Sequence, residues 1–292
     1  MSRFTDLSPY AHAQRERLRF IDFCLHYFGQ VARADLIQAF QTGLASGTRD
    51  LTLYRELAPD NMALRHDTKL YYRTATFTPL FDHDPDTVLS ELSQGTWDGL
   101  GAGQRLGRLC INAVPTIIPD DHILAPLLLA ISRQQVIRCD YISLSSGQQS
   151  RELIPHTLVN NGRRWHIRAY DRRSGSFRDF VLTRFIRIQP LEQPVSEHEQ
   201  QAQDVSWHKI LRLTLMPHPR LPHPQAIELD YGMNNSRLQL EVREALLGYL
   251  MQQWLVDCST EYRLNPAQYP LALAEHQELS AIVNKTLLPG AL

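Results

Sequence analysis

Between Gln135 and Arg184 the apolar residues of this 292-residue chain recur at every second position, whereas on either side they recur every third or fourth. Strand side chains alternate between two faces, while helix side chains return to one face after three or four residues. The change of period therefore dictates a β-rich block set between helical ones. Ile137, Cys139, Tyr141 and Ser143 alternate with Arg138, Asp140 and Ile142 in a first strand. Ser145 to Ser150 reads as a turn, Arg151 to Val159 as a second strand and Asn160-Asn161-Gly162 as a hairpin turn. Arg164 to Tyr170 gives a third strand, Arg172 to Gly175 another turn, and Arg178 to Arg184 a fourth strand. Such a meander, after one helix opened by Pro119-Asp120-Asp121 and carrying Ile123, Leu124, Leu127, Leu128 and Ile131, suits a small, strongly twisted sheet or barrel.

The N-terminal block is helical. Leu18, Ile21, Leu25 and Phe28 predict one helix over Ala13–Phe28 ended by Gly29, and Leu36, Ile37 and Phe40 a second over Arg33–Gln41. After the turn Thr42-Gly43 comes a third, Leu44–Leu57, stopped by Pro59. Leu44, Leu51 and Leu57 supply its buried side, and Ser46, Gly47, Thr48, Arg49, Tyr54 and Arg55 its other side. Ala63 to Arg73 reads as two short strands around the turn His66–Thr68. Three helices with a tight turn before the third, then a hairpin, form the winged helix-turn-helix arrangement, whose third helix enters the DNA major groove. Small residues at its start let backbone amides approach phosphates, and Arg49 and Arg55 can read guanine edges. Lys69 and Arg73 on the wing are placed to hold phosphate. The plainer alternative is a helical packing unit with a few surface arginines.

Asp84-Pro85-Asp86 opens a further helix with Val88, Leu89 and Leu92, followed by a connector holding Gly95, Gly99, Gly101, Gly103 and Gly107. Beyond the β block, residues 192–206 read as a polar linker or exposed helix, Ile210–Leu215 as a strand, Gln225–Tyr231 as a helix or strand, and Val242–Leu255 as an amphipathic helix. His218 and His223 stand among prolines without nearby cysteine or carboxylate partners, so no metal site is expected.

A formal net charge of −1 argues at first against a nucleic-acid partner. By segment the picture changes: residues 1–80 carry +2, 81–135 carry −4, 136–190 carry +6 and 191–292 carry −5. All but three of the 30 basic residues are arginine. Guanidinium groups hold planar anions and bases through a fixed donor fork; genomic base composition is the competing source of the excess. Cys24, Cys110, Cys139 and Cys258 are far apart and flanked by apolar residues, as expected of buried thiols in a reducing cytosol. No apolar run is long enough to span a bilayer and no secretory signal opens the chain, so a cytoplasmic location is expected. The motifs of serine hydrolases, zinc proteases, P-loop NTPases and dinucleotide-binding folds are missing, so neither enzyme activity nor a cofactor is expected.

Specific motifs then narrow the reading. Phe40 to Leu51, with Thr48-Arg49-Asp50-Leu51, resembles the recognition-helix pattern of winged-helix bacterial regulators, with Gly43 at the N-cap. Tyr141-x-Ser143, Arg151-x-x-x-Pro155-His156, Trp165-His166-Ile167 and Arg178-x-Phe180-x-Leu182-x-Arg184 together resemble the WYL domain, whose Trp-Tyr-Leu triplet stands here as Trp165-His166-Ile167. Pro217-His218-Pro219, Asp230-Tyr231-Gly232-Met233 and Trp254 resemble the C-terminal extension that follows WYL domains in many regulators. The resemblance covers essentially the whole chain and is greatest to WYL repressors encoded with bacterial phage-defence systems such as BREX and CBASS.

The resemblance implies an α+β chain. Residues 1–80 would be a winged helix-turn-helix, 81–121 a helical linker, 122–190 an Sm-like β-barrel and 191–292 a small α/β extension for dimerisation. It implies a homodimeric repressor that binds an inverted-repeat operator and is relieved by a nucleotide or nucleic-acid-fragment effector. Tyr141, Ser143, Arg151, His156, His166, Arg178 and Arg184 are the expected effector ligands. His166, in place of the family tyrosine, keeps an aromatic ring but adds a group that titrates near neutral pH. An activator, or a single-stranded nucleic-acid sensor acting through a protein partner, is the alternative.

Overall fold

The computed structural model describes residues 7–93, 113–114, 116–276 and 287–291. The expected glycine-rich connector and Cys110 lie outside the described residues. The chain divides into two compact units, Met1–Ala113 and Val114–Leu292.

In the first unit α1 (His12–Phe23) runs into one wide turn of π-helix, Cys24–Phe28, which Gly29 ends in the left-handed conformation at φ 72°. Strand β1 (Gln30–Ala32), α2 (Arg33–Phe40) and α3 (Leu44–Leu57) follow, then β2 (Met62–Arg65), β3 (Leu70–Arg73) and α4 (Pro85–Ser93). The wing has a third strand that the sequence pattern did not reveal: β1 pairs with β3 in the order β1-β3-β2, all antiparallel. Leu18, Phe20, Ile21, Leu25, Leu36, Leu51 and Tyr54 form the core. Leu44, expected to be buried, is 64% exposed. Gly47 is buried instead, against α2, where an added Cβ would come 3.3 Å from the Arg33 side chain.

A polar cluster fastens the strap that follows the wing. The Asp22 carboxylate, fully buried on α1, accepts hydrogen bonds from the Tyr54 hydroxyl, from the Leu80 amide at 3.0 Å and from the Phe81 amide at 3.2 Å, and it meets His83 Nε2 at 2.8 Å. Asn61 donates to the Tyr54 oxygen at 3.1 Å and to the Thr78 carbonyl at 2.7 Å.

The second unit starts with α5 (Asp121–Arg133), whose Asp120 cap accepts from the His122 amide. Five antiparallel strands follow: β4 (Ile137–Ser143), β5 (Gly147–Asn160), β6 (Trp165–Asp171), β7 (Ser176–Val181) and β8 (Phe185–Pro190), in the order β7-β6-β5-β4-β8. The expected fourth strand therefore ends at Val181; Leu182–Arg184 is a 3-10 turn, and β8 is a fifth strand. Leu182 and Arg184 accordingly do not continue the face of Arg178 and Phe180. This turn explains the shape. The outer strands of a flat five-stranded sheet would be about 19 Å apart, and four residue steps reach at most about 14 Å. Because β7 and β8 occupy opposite edges yet are joined by three residues, the sheet must roll up, which is the Sm-like form. Its edges are not joined by a ladder among the described residues. Ile123 and Leu127 of α5 pack with Ile137, Leu153, Ile167 and Phe180 inside it.

Pro155 has no N–H to give to the ladder, and β5 breaks its register beside it, with His156 as the extra residue. The segment expected as a polar linker instead contributes buried carboxylates: Glu199 receives Arg172 at 2.7 and 2.9 Å, and Asp204 receives Arg168 at 2.6 and 2.9 Å. The extension then forms α6 (Val205–His208), β9 (Ile210–Pro217), α7 (Gln225–Asp230), β10 (Leu238–Arg243), α8 (Leu247–Gln253), β11 (Val256–Asp257) and β12 (Leu271–Leu273). Its sheet runs β10-β9-β12-β11. The helix expected from Val242 begins only at Leu247, because Leu238, Leu240 and Val242 alternate and pair with β9 as a strand.

A Cβ on Gly248 would sit 2.5 Å from the Leu287 Cβ, so α8 and the C-terminal tail fit only with glycine there. Gly248→Ala is expected to cost about 1–3 kcal/mol by overpacking. The check is the urea midpoint of the second unit: an unchanged midpoint would contradict this packing.

Candidate functional site

Two surfaces gather the candidate residues, one in each unit. On the first, α3 presents Ala45, Thr48, Arg49, Thr52 and Arg55 to solvent at helical spacing, as one continuous stripe. Gly43 starts the helix without a side-chain cap. The opposite face is fixed by Leu51 and by Asp50, which receives Arg17 at 2.6 Å. Thr48 accepts from Arg33 at 3.2 Å, and the Arg49 Nε rests on the Ala45 carbonyl at 3.3 Å. Ser46 is half-buried.

Two expected members of this surface turn inward. Tyr54 is fully buried with its hydroxyl on Asp22, and Gly47 is buried against α2, so neither is on the exposed stripe. Their helical phase, with Leu51 between them, carries the signal: 47, 51 and 54 share a face. On the wing Lys69 is exposed in the left-handed region at φ 58°. Arg73 is partly committed, donating to the His26 carbonyl at 2.9 Å and lying 4.6 Å from the Phe77 ring. Arg65, over the Tyr72 ring at 5.0 Å, adds an exposed wing cation that the sequence reading passed over.

The second surface is a cavity between the rolled sheet and the extension, in two lobes. The larger, of about 670 Å³, is lined by Tyr141, Ser143, Arg151, Arg178, Phe177 and Phe180, with Glu244, Leu247 and Leu288 from the extension. The smaller, of about 360 Å³, is lined by Asn161, Arg163, Arg164, His166, Gln252 and Gln253. Tyr141, Asp179, Arg184, Tyr249 and Leu287 line both. Six of the seven expected effector ligands thus come together around this space.

The seventh, His156, lines neither lobe. It is held on the β5 bulge between Phe177 and Trp207, with Nε2 3.2 Å from Asp204. Arg151 reaches the larger lobe but is anchored, donating to the buried Asp171 at 2.6 Å. Arg163, Arg164, Arg178 and Arg184 make no ion pair or side-chain hydrogen bond with the described residues.

Behind the cavity lies a buried ion network that sequence reasoning missed. Arg168 binds Asp204 through two nitrogens and Asp179 at 3.1 Å, and Tyr249 donates to Asp179 at 3.0 Å. Burial opposes the Asp204 charge, but His156 and Arg168 outweigh it and hold the carboxyl at about 2. At Asp179 burial prevails and pushes the carboxyl above its usual range, although Arg168 opposes this. A run of alternating residues cannot distinguish such an arginine from a surface one.

Burial, with Arg164 and Arg184 nearby, lowers His166 to about 4, so the ring is neutral at neutral pH. The unfolded ring takes up a proton near its ordinary value of about 6.5, the folded ring only near 4. Below 6.5 the unfolded state therefore gains protons first. The contribution of this group, about 3 kcal/mol, is present above pH 6.5 and lost as pH falls toward 4. His166→Gln should flatten the profile of unfolding free energy between these limits, measured by urea titration at several pH values.

His218, near the prolines, is buried with Nε2 3.3 Å from Asp257, while His223 is exposed. Among the described residues no group of three His, Cys, Asp or Glu could hold a metal ion. Burial raises Cys139 and Cys258 to about 12 and pushes Cys24 up as well. No described helix is long and apolar enough to cross a membrane.

Comparison with known proteins agrees in the order of parts. Residues 13–94 match the BrxR transcriptional regulator winged helix-turn-helix domain, 122–190 the WYL domain, and 210–279 the BrxR transcriptional regulator C-terminal dimerization domain. The chain is similar to the DNA-binding transcriptional repressor CapW of Escherichia coli strain KTE188, 33% identical over 280 residues, covering 93% of this chain and 92% of the relative. CapW of Pseudomonas aeruginosa is 30% identical over 287 residues, with 92% of each covered. CapW of Stenotrophomonas maltophilia is 31% identical over 254 residues, with 82% of each covered. With its winged helix, WYL sheet and dimerization extension in the same order over nearly the full length of these relatives, the chain belongs to the BrxR and CapW family of WYL-domain transcriptional regulators.

Proposed function

We propose that the protein is a homodimeric repressor of a phage-defence operon. It reads an inverted repeat with α3 and the wing, and it is released when a nucleotide-like effector enters the two-lobed cavity. The observation that carries the DNA reading is the α3 stripe: Thr48, Arg49, Thr52 and Arg55 are exposed on one face while Asp50, Leu51 and Tyr54 lock the other. A helix so presented can place arginine against guanine and hydroxyl groups against phosphate. The CapW relatives, DNA-binding transcriptional repressors by name, support the same reading. The match of residues 210–279 to a dimerization domain supports a two-fold dimer, whose paired recognition helices require a palindromic operator.

The cavity supports the effector. Arg178 and Arg184, without an ion pair among the described residues, stand beside Phe177, Phe180 and Tyr141 and suit a phosphate joined to a stacked base. For release, the effector must bind the DNA-free dimer more tightly than the DNA-bound one.

Footprinting of the DNA upstream of the gene is the test. Two protected half-sites with centres about one helical turn, 10–10.5 base pairs, or a multiple apart are expected. If no segment is protected in preference to bulk DNA, the reading fails. Should Arg178→Ala weaken single-strand binding while Arg49→Ala leaves promoter binding unchanged, a single-strand sensor acting through a protein partner replaces it.

A further inference from the structure

We propose that the smaller lobe is a subsite for a terminal tetrahedral dianion of the effector, such as a phosphate monoester, gripped by Arg164 and Arg184, and that His166 becomes its third donor by taking up a proton as the anion enters. This rests on reading the cavity as the effector site and goes beyond it by assigning the chemistry of one end of the ligand.

The first support is uncompensated charge. Elsewhere in this unit Arg151 is matched with Asp171, Arg168 with Asp179 and Asp204, and Arg172 with Glu152 and Glu199, while the half-buried Arg243 donates to the Trp207 carbonyl and lies over its ring. In the smaller lobe Arg164 and Arg184, both half-buried, and the exposed Arg163 converge without a carboxylate partner among the described residues. Among the described residues Asp179 is the one carboxylate lining the lobe, and Arg168 and Tyr249 already engage it. Half-buried guanidinium groups in such a place call for a bound anion.

The second support is the histidine itself. His166 is 3% exposed, and its Nδ1 is buried without a well-formed hydrogen bond, the Arg164 carbonyl giving only partial compensation. A polar ring atom left in this state on the wall of a cationic lobe is costly unless the function uses it.

The titratable and charged groups around the ring come from every neighbouring element. Arg163 and Arg164 precede it on the β5–β6 turn, Arg184 lies on the 3-10 turn, Asp179 on β7, Tyr141 on β4 and Tyr249 on α8 at 4.9 Å between ring centroids. The two tyrosines are hydrogen-bonded: the Tyr141 oxygen accepts from the Val181 amide and Tyr249 donates to Asp179. Burial and the two arginines keep the ring unprotonated while the lobe holds no anion. A dianion seated between Arg164 and Arg184 cancels their repulsion and favours the imidazolium, so binding and proton uptake are linked.

The test uses the full-length protein labelled with ¹³C at histidine, with the His166 Cε1–H resonance identified by its loss in His166→Gln. Sulfate is the probe, because it stays a dianion throughout the range and adds no titration of its own. In chloride the resonance should remain that of a neutral ring from pH 7.5 down to 5.5, in keeping with a midpoint near 4. In sulfate at the same ionic strength it should titrate with a midpoint near the ordinary value, roughly 6.5, and Arg184→Ala should abolish the difference. Identical curves in the two salts overturn the proposal, as does a sulfate-dependent shift that survives in Arg184→Ala. A parallel titration with 5′-phosphorylated and 5′-hydroxyl trinucleotides separates this from the broader reading. Equal binding of both with no histidine shift rejects the subsite alone, whereas binding of neither rejects a nucleic-acid-fragment effector.

Discussion

Arg168→Ala is expected to lower the stability of the second unit by about 3–5 kcal/mol, since removing one partner leaves its buried counter-charges uncompensated. Asp204 would lose both guanidinium contacts, and Asp179 would lose its hold at 3.1 Å. Both losses reach the extension, because Asp204 caps α6 at the Trp207 amide and Asp179 accepts from Tyr249 of α8. The cavity wall should therefore loosen together with the fold. Urea denaturation at pH 7 checks the stability, and adding Asp204→Asn should recover part of the loss by removing one stranded charge. Equal stability of Arg168→Ala and the parent protein would show that the network does not hold the sheet to the extension.

The first unit has its own such point. Asp22→Ala would strand the Tyr54 hydroxyl, two backbone amides and His83 in a buried site. Leaving one buried donor unsatisfied costs about 1–3 kcal/mol, so a combined loss of about 3–5 kcal/mol is expected after relaxation. Asp22 links α1 to Tyr54 on α3 and to the strap at Leu80 and Phe81, so the recognition helix loses its support as well. The expected result is an earlier unfolding transition for the helical signal of this unit, with that of the second unit unchanged. Asp22→Asn, which keeps an acceptor oxygen, should lie between. A helical transition at the parent temperature in Asp22→Ala would refute the assignment.

Periodicity made the main elements legible before any coordinates. The amphipathic helices around Leu18, Leu36 and Leu51, the Gly43 start of α3, the wing hairpin and the strands at Ile137 and Trp165 stand where spacing and turn residues place them, while β5 starts at Gly147, four residues before the expected Arg151, because Gly147 to Ser150 pair with β4. Elements without enough pattern were missed. The three residues of β1 are too few to show a period, and β8 was concealed because the 3-10 turn at Leu182–Arg184 passes for three more strand residues. At Val242 two patterns overlap, the end of a strand and the start of a helix, and the helical one was followed too far upstream.

The site residues divide along the same line. Tyr141, Ser143, Arg151, His166, Arg178 and Arg184 were found through motif spacing and do surround one cavity. His156 and Tyr54 were misplaced because a polar or aromatic side chain has the same letter whether it faces solvent or a buried carboxylate. Arg168, Asp179, Asp204 and Tyr249 were invisible for a related reason: their partners are 11 to 70 residues away in the chain. The net charge of −1, at first an argument against nucleic acid, is better understood as a limit on nonspecific attraction, since charge sets salt-dependent affinity for any DNA.

The central claim, that α3 reads sequence, is tested most directly by fluorescence anisotropy at fixed salt near 0.15 M. The full-length protein and Arg49→Ala are each titrated with the protected upstream duplex and with a scrambled duplex of equal length. The account predicts at least a roughly thousand-fold preference of the parent for the upstream duplex. It also predicts that Arg49→Ala loses most of that preference, about 1–3 kcal/mol per half-site, while its binding to scrambled DNA changes little. Equal affinity of the parent for both duplexes, or an Arg49→Ala variant with its preference intact, would contradict it.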